Sequence, residues 1–333
     1  MSSSSPTNGQ ESHQATRFGV DDIEATEAAL KSDLRTVQED ALGERQDIKK
    51  TGGLVTAALA APGTIWLLFY LVAPVVLLVL VSFWQGKTTG FEAGAWTLDN
   101  YDRLFSSGAY WNTLKQSFFN SLIIVGTTFV LGLPVAYFLA MKVKNLRNQI
   151  ALFIVALAPF WTSALIRAVA WRDPLMGRQG AVNEILQKIG IISEPLSILS
   201  FSNFSVVLAM IQLYVLFMIT PLFFMLAQVD RSSLEAARDL GAGWLQSFRE
   251  VILPQIAPGV VIGSIFVFVL SMGEFATVRV VGGNTVASAG TIIRLQYDNV
   301  QFPGAAASAV FLVLVMMLGV LILLRFANLR EEL

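Results

Sequence analysis

Two groups of side chains in this sequence have types and spacing suited to chemistry, and two common chemistries have no means at all. No cysteine occurs in the chain, which removes thiol catalysis, disulfides and cysteine-held metals. The one histidine, His13, lies in a polar Ser-rich tail, so histidine-based catalysis or ligation is not expected. The first group centres on Glu274, in SMGEFATV at the end of an apolar run. An ionisable group at such a place is costly and marks a pathway or a pair. A carboxylate suits a cationic ligand, and aromatic faces add cation–π attraction. Phe160, Trp161 and Trp171 are the candidate aromatics, and Asp173 and Glu184 the candidate acids at an outer mouth. Arg167 would bind an anion or anchor its helix. Plainer readings stand beside these: the tryptophans as an interfacial belt, and Glu274 paired with Arg167 or Arg279.

The second group is the stretch EAARDLGAGWLQSFREVILP, Glu235 to Pro254. Ser232 and Glu235 have capping-box spacing, so a helix is predicted to start near Ser233. Gly241 closes it at positive φ. A second helix then runs to Pro254, which favours a break before the next apolar run. Leu245, Phe248 and Ile252 recur at helical spacing as one apolar stripe, while Glu235, Arg238, Asp239, Arg249 and Glu250 supply polar faces. The product is two short helices around a glycine elbow, shaped to plug into a groove on a soluble partner, or else a solvated helical loop. The segment WQGKTTG contains GKT but is no phosphate loop. The glycine required five residues before Gly86 is Val81, so successive N–H groups cannot cradle a phosphate.

These groups must be carried by a membrane protein. Hydrophobic residues make up 54% of the chain and charged ones 14%, against about a quarter charged in a soluble domain. The net charge of −1 points to no nucleic-acid partner. Residues 1–50 form a polar, partly disordered extension, and residues 51–333 the transmembrane domain. Runs near the required ~20 apolar residues predict six spans: Leu54–Trp84, Ser117–Met141, Ile150–Ile166, Phe204–Gln228, Ile256–Val278 and Ala305–Leu324. Glu274 then falls in the outer half of the fifth. Lys49, Lys50, Lys142, Lys144, Arg147, Arg231, Arg238, Arg249, Arg325 and Arg330 share one face. That bias places both termini, and the loop 229–255, in the cytoplasm. GRQGAVNEILQKIGII, from Gly177, reads as a glycine-opened amphipathic helix with apolar Val182, Ile185, Leu186 and Ile189. It would touch an external protein or simply pack.

The stretch from Glu235 resembles the EAA loop of permease subunits in binding-protein-dependent ABC importers. That pattern is EAA, three residues, Gly, nine residues, then Ile-x-Leu-Pro. Glu235, Ala236, Ala237, Gly241, Leu253 and Pro254 match it, and Val251 replaces the isoleucine. TLDNYDRLF at Thr97, PFWTSALIR at Pro159, GAVNEIL at Gly180 and EAARDLGA resemble the spermidine/putrescine-type branch. The resemblance covers residues 55–330 and implies an all-α, six-helix type I importer permease fold with a cytoplasmic helix pair, in a bacterial inner membrane. It implies a second permease subunit, two ATPase subunits that bind ATP and Mg, and a binding protein outside; this chain itself would be non-catalytic and hold no cofactor or metal. Glu235, Ala236, Ala237, Asp239, Gly241, Leu245, Phe248, Leu253 and Pro254 would couple to the ATPase. The cargo implied is a polyamine, with an anion or metal-chelate as the alternative. A self-sufficient secondary transporter would require ionisable coupling residues within several spans, and nearly all spans here are uncharged. An integral-membrane enzyme would need a nucleophile, metal set or acid–base cluster at one depth.

Overall fold

The structure, a computed structural model, describes residues 58–87 and 90–326; the predicted extension 1–50 and the start of the first span at Leu54 lie outside the described residues. The chain divides into two units, residues 1–74 and 75–333. The described part of the first unit is the start of α1 (Ala58–Ser82). There the Tyr70 ring meets Trp66 and Phe69 at centroid distances of 4.6 and 5.4 Å.

In the second unit the end of α1 leads into an antiparallel hairpin, β1 (Trp84–Lys87) and β2 (Gly90–Trp96), which the hydropathy reading did not foresee. Gly86 and Lys87 of the GKT segment are strand residues, opposite Phe91 and Gly90. Helices follow: α2 (Asp99–Ser106), α3 (Gly108–Tyr137), α4 (Leu146–Leu157), α5 (Ala164–Ala170), α6 (Ala181–Lys188), α7 (Asn203–Gln228), α8 (Arg231–Asp239), α9 (Trp244–Ser247), α10 (Leu253–Met272), α11 (Ala276–Gly282), α12 (Ala289–Asp298) and α13 (Phe302–Phe326). Among the described residues, five helices are long and apolar enough to cross a bilayer, and a sixth crossing requires a bent pair.

That pair corrects the predicted third span. Leu146–Trp161 and Ala164–Leu175 meet at 81° instead of forming one rod. Pro159 brings no N–H to the ladder, and a tight turn at Ala158–Trp161 follows. The Thr162 hydroxyl then donates to the Pro159 carbonyl at 2.8 Å, and Thr162 and Ser163 are extended.

The fifth span is also different. α9, a widened π turn at Phe248–Ile252 and α10 form one continuous rod, Trp244–Met272, with no break at Pro254. The Leu253 N–H reaches the Phe248 carbonyl, one residue further back than in an α-helix. The rod stops at Met272, and the chain is not helical at Gly273–Phe275. Glu274 therefore sits in a break between helices and not inside a span.

α7 is the central helix. Two-thirds (67%) of its most apolar window is buried, against 22% for α13. Met218, Leu222 and Leu226 on it are fully buried. α10 crosses it at Gly259 and Gly263. A Cβ on Gly259 would lie 2.6 Å from Met225 Cγ and 2.9 Å from the Pro221 carbonyl, and one on Gly263 would lie 2.7 Å from Met218 Sδ. Paired small residues four apart allow such approach where lipid offers no hydrophobic drive.

Candidate functional site

The elbow is built from its caps inward. Asp230, not Ser232, caps α8: its carboxylate accepts from the Ser232 N–H at 2.9 Å and from the Ser232 and Ser233 hydroxyls. These bonds, that from the Ser232 hydroxyl foremost, hold the Asp230 carboxyl below the usual carboxylate range. At the other end Gly241 adopts φ +84°. Its N–H donates to the Arg238 carbonyl at 2.8 Å, and the Ala242 N–H to the Ala237 carbonyl at 2.9 Å. This pair of bonds defines a Schellman cap with the left-handed residue at Gly241.

Leu240, Trp244 and Leu245 are 89%, 65% and 69% exposed, beside exposed Glu235, Ala236 and Asp239. The predicted single stripe divides here. Leu245 faces out, Phe248 is half-buried and stacked on Trp244 at 5.7 Å, and Ile252 is buried. The π turn rotates the face between them, because it holds more residues per turn than the α-helix assumed. Leu253 is half-buried and Pro254 exposed. Beneath the elbow is a cavity of about 270 Å³, lined by Lys142, Glu235, Arg238 and Ser247 among others.

At the other end of the α9–α10 rod, Glu274 is held on three sides. The Tyr214 hydroxyl on α7 donates to its Oε2, the Thr277 N–H to its Oε1 at 2.7 Å, and the Ser288 hydroxyl to its main-chain carbonyl at 2.8 Å. A Cβ on Gly290 would lie 2.6 Å from the Gly273 carbonyl, so α12 presses on this break at backbone distance. Glu274, Tyr214, Ala164, Leu165 and Leu270 are among the residues lining a cavity of about 490 Å³.

Of the other predicted pathway residues, none lines that cavity. Phe160 packs edge-on to Phe217 at 5.0 Å, and Phe217 lies 6.3 Å from the Tyr214 ring, so Phe160 joins the site through an aromatic chain. Trp161 is 82% exposed. Arg167 lies within electrostatic reach of Tyr214, and its Nε and Nη1, like Trp171 Nε1, are buried without a hydrogen-bond partner. Asp173 pairs with adjacent Arg172, and Glu184 with Lys188 at 3.5 Å. Neither suggested partner of Glu274 bonds to it; Arg279 pairs instead with Asp298 at 3.4 Å. Tyr214 was missed. Its signal was a lone phenol inside an apolar run, which hydropathy averages away.

Polytopic helices, with a capped elbow joined by one rod to a lined cavity, define an α-helical multi-pass membrane protein. Residues 108–331 match the family described as binding-protein-dependent transport system inner membrane component, and the chain belongs to that family. It is 33% identical over 268 residues to the spermidine/putrescine transport system permease protein of Escherichia coli (strain K12), covering 80% of this chain and 96% of that one. The same-named protein of Haemophilus influenzae is 34% identical over 235 residues, 70% of this chain and 79% of that one. An inner membrane ABC transporter permease of E. coli (strain K12) is 29% identical over 221 residues, 61% and 69% of the two chains. Among solved structures, a bacterial ABC transporter involved in import of the acidic polysaccharide alginate shares the fold. Its TM-score is 0.63 at 19% identity, over 86% of this chain and 99% of that one. The chain is thus a multi-pass inner-membrane permease subunit of the ABC importer class.

Proposed function

We propose that this chain forms half of the translocation pathway of an ATP-driven importer of polyamine-type cations. One observation carries the reading: a single rod of 29 residues, Trp244–Met272, joins the exposed elbow to the break that holds Glu274. At about 1.5 Å per residue the rod spans about 43 Å, enough to cross the bilayer. The elbow docks into a cytoplasmic ATPase, with Leu240, Trp244 and Leu245 buried in the contact and Glu235 making a charged one. Gly241 sets its angle. Two such ATPase subunits bind ATP and Mg, this chain binding neither. A second permease subunit completes the pathway, a binding protein delivers cargo from outside, and both termini face the cytoplasm. Glu274 meets the cargo's ammonium in the cavity. The polyamine assignment is supported by the spermidine/putrescine permeases that this chain is similar to. The test is uptake of radiolabelled putrescine and spermidine by the full complex in proteoliposomes. Glu274→Gln should lower diamine uptake while the binding protein still docks; unchanged transport kinetics would remove Glu274 from the pathway.

One observation favours a second cargo. The buried, unpaired nitrogens of Arg167 suit an anion, and an anionic or metal-chelate cargo would compete for the same complex. Saturable uptake of an anion with none of a diamine would decide for it.

A further inference from the structure

The two bonds to the Glu274 carboxylate differ in kind. The one from Thr277 is local, three residues along the chain at the first turn of α11, and travels with the carboxylate. The one from Tyr214 spans 60 residues and ties α7 to the α10–α11 break. Ser288 and the close approach of Gly290 fix the main chain of that break to α12. The contact free to exchange is therefore the phenol, and it borders the cavity that both side chains line. An ammonium group entering the cavity offers Oε2 a bond between two full charges, stronger than one from a neutral hydroxyl. An empty cavity without the phenol would leave a carboxylate oxygen in apolar surroundings with no partner, at a large desolvation cost.

We infer that Tyr214 is a latch. Its hydroxyl occupies Glu274 when no cargo is present, and a cargo ammonium displaces it, releasing α7 from the end of the α9–α10 rod. This rests on the cation reading above. Arg167, within electrostatic reach of the phenol, carries two buried nitrogens without acceptors. Tyr214 is a positioning and specificity-determining residue on this account: the latch responds to a hydrogen-bond-donating cation and ignores a neutral cargo of the same size.

The test uses the complete complex with its ATPases, partner permease and binding protein in proteoliposomes, and putrescine as probe. Tyr214→Phe keeps the ring and its packing but removes the hydroxyl. Expected are a KM for putrescine lowered by about tenfold, the worth of a modest charge-assisted bond, with kcat near wild type, and a raised ATPase rate without cargo. In a Glu274→Gln background, whose amide oxygen still accepts from the phenol but without charge assistance, the same change should have a smaller effect on both quantities. Wild-type KM and cargo-free ATPase in Tyr214→Phe would overturn the latch, as would a raised KM, which would make Tyr214 a direct cargo ligand. An undiminished effect in the Glu274→Gln background would also overturn it. The cargo reading fails separately, on a wild-type complex that carries no putrescine.

Discussion

Replacing Gly241 tests the elbow with the least ambiguity, because backbone conformation and space can be separated there. Gly241 has φ +84°, and a Cβ built on it meets nothing within 4 Å. Gly241→Ala therefore costs nothing sterically inside this chain. Its cost is that of an L-residue in the left-handed region, about 1–2 kcal/mol. That corresponds to roughly a 5- to 30-fold shift against the observed elbow. Asn tolerates the left-handed region several-fold better than other non-glycine residues, so Gly241→Asn should retain more function than Gly241→Ala. The assay is ATP hydrolysed per cargo molecule imported by the reconstituted complex, in which Ala should raise the ratio and Asn raise it less. Wild-type coupling in Gly241→Ala would refute the conformational argument. Asn and Ala being equally inactive would refute it differently, by showing that any side chain at this surface collides with the docked partner.

Other outcomes follow from the packing and the caps. Gly259→Ala should destabilise the α7–α10 crossing by up to about 2 kcal/mol, the overpacking penalty of about 1–3 kcal/mol less about 1 kcal/mol of helix propensity. Gly126→Ala, with open space around its Cβ, should be neutral or stabilising by up to about 1 kcal/mol; unfolding of both variants in mixed micelles separates them. Asn183 is fully buried; its side chain donates to the Gly177 carbonyl and accepts the Leu196 N–H, each at 2.9 Å. Asn183→Leu should cost about 1–3 kcal/mol, from the stranded Leu196 N–H, since the Gly177 carbonyl keeps the Gly180 N–H at 2.9 Å; the readout is faster hydrogen exchange at Leu196. For Asp230 the folded carboxyl titrates below its ordinary value. Its contribution is therefore complete above the ordinary carboxylate range and lost only as pH falls through the lower folded value. Coupling should not change between pH 8 and 6 on its account, and Asp230→Asn should preserve the cap where Asp230→Ala does not.

The spans were legible because a bilayer imposes a length and a polarity on any helix that crosses it. Their arrangement was not. α13 has the highest mean hydropathy of the spans, 3.0, yet little of it is buried, while α7 at 2.3 is the centre. Lipid and protein interior are equally apolar, so hydropathy cannot rank them. The signal that places α10 against α7 is GVVIG, Gly259 to Gly263, a spacing of small residues that an apolar average conceals. The elbow was legible down to its left-handed glycine, because Gly241 follows from local backbone sterics. Its first cap was misread by two residues, since Asp230 and Ser232 both satisfy the capping rules and only the observed hydrogen bonds choose. Glu274 was found as a charge out of place, but its partner was sought among arginines. A neutral phenol 60 residues away carries no charge pattern to search for.

The misreading at Pro254 bears most on mechanism. A proline was expected to break the chain between elbow and span, and a hinge there would let the elbow move without moving the span. Instead the π turn at Phe248–Ile252 takes up the misfit, and the rod continues. The carbonyl that Pro254 leaves without a donor falls on the face of Arg249 and Glu250, which is exposed, so water can satisfy it and no break is needed. If the elbow docks as proposed, its displacement would reach Met272 as a tilt of the whole rod, and the next residues along are Gly273 and Glu274. Helix ends move furthest in a tilt, and Glu274 lies just past that end. Its bond to Tyr214 on the buried central helix is thus placed where a small rotation at the elbow produces the largest change in distance.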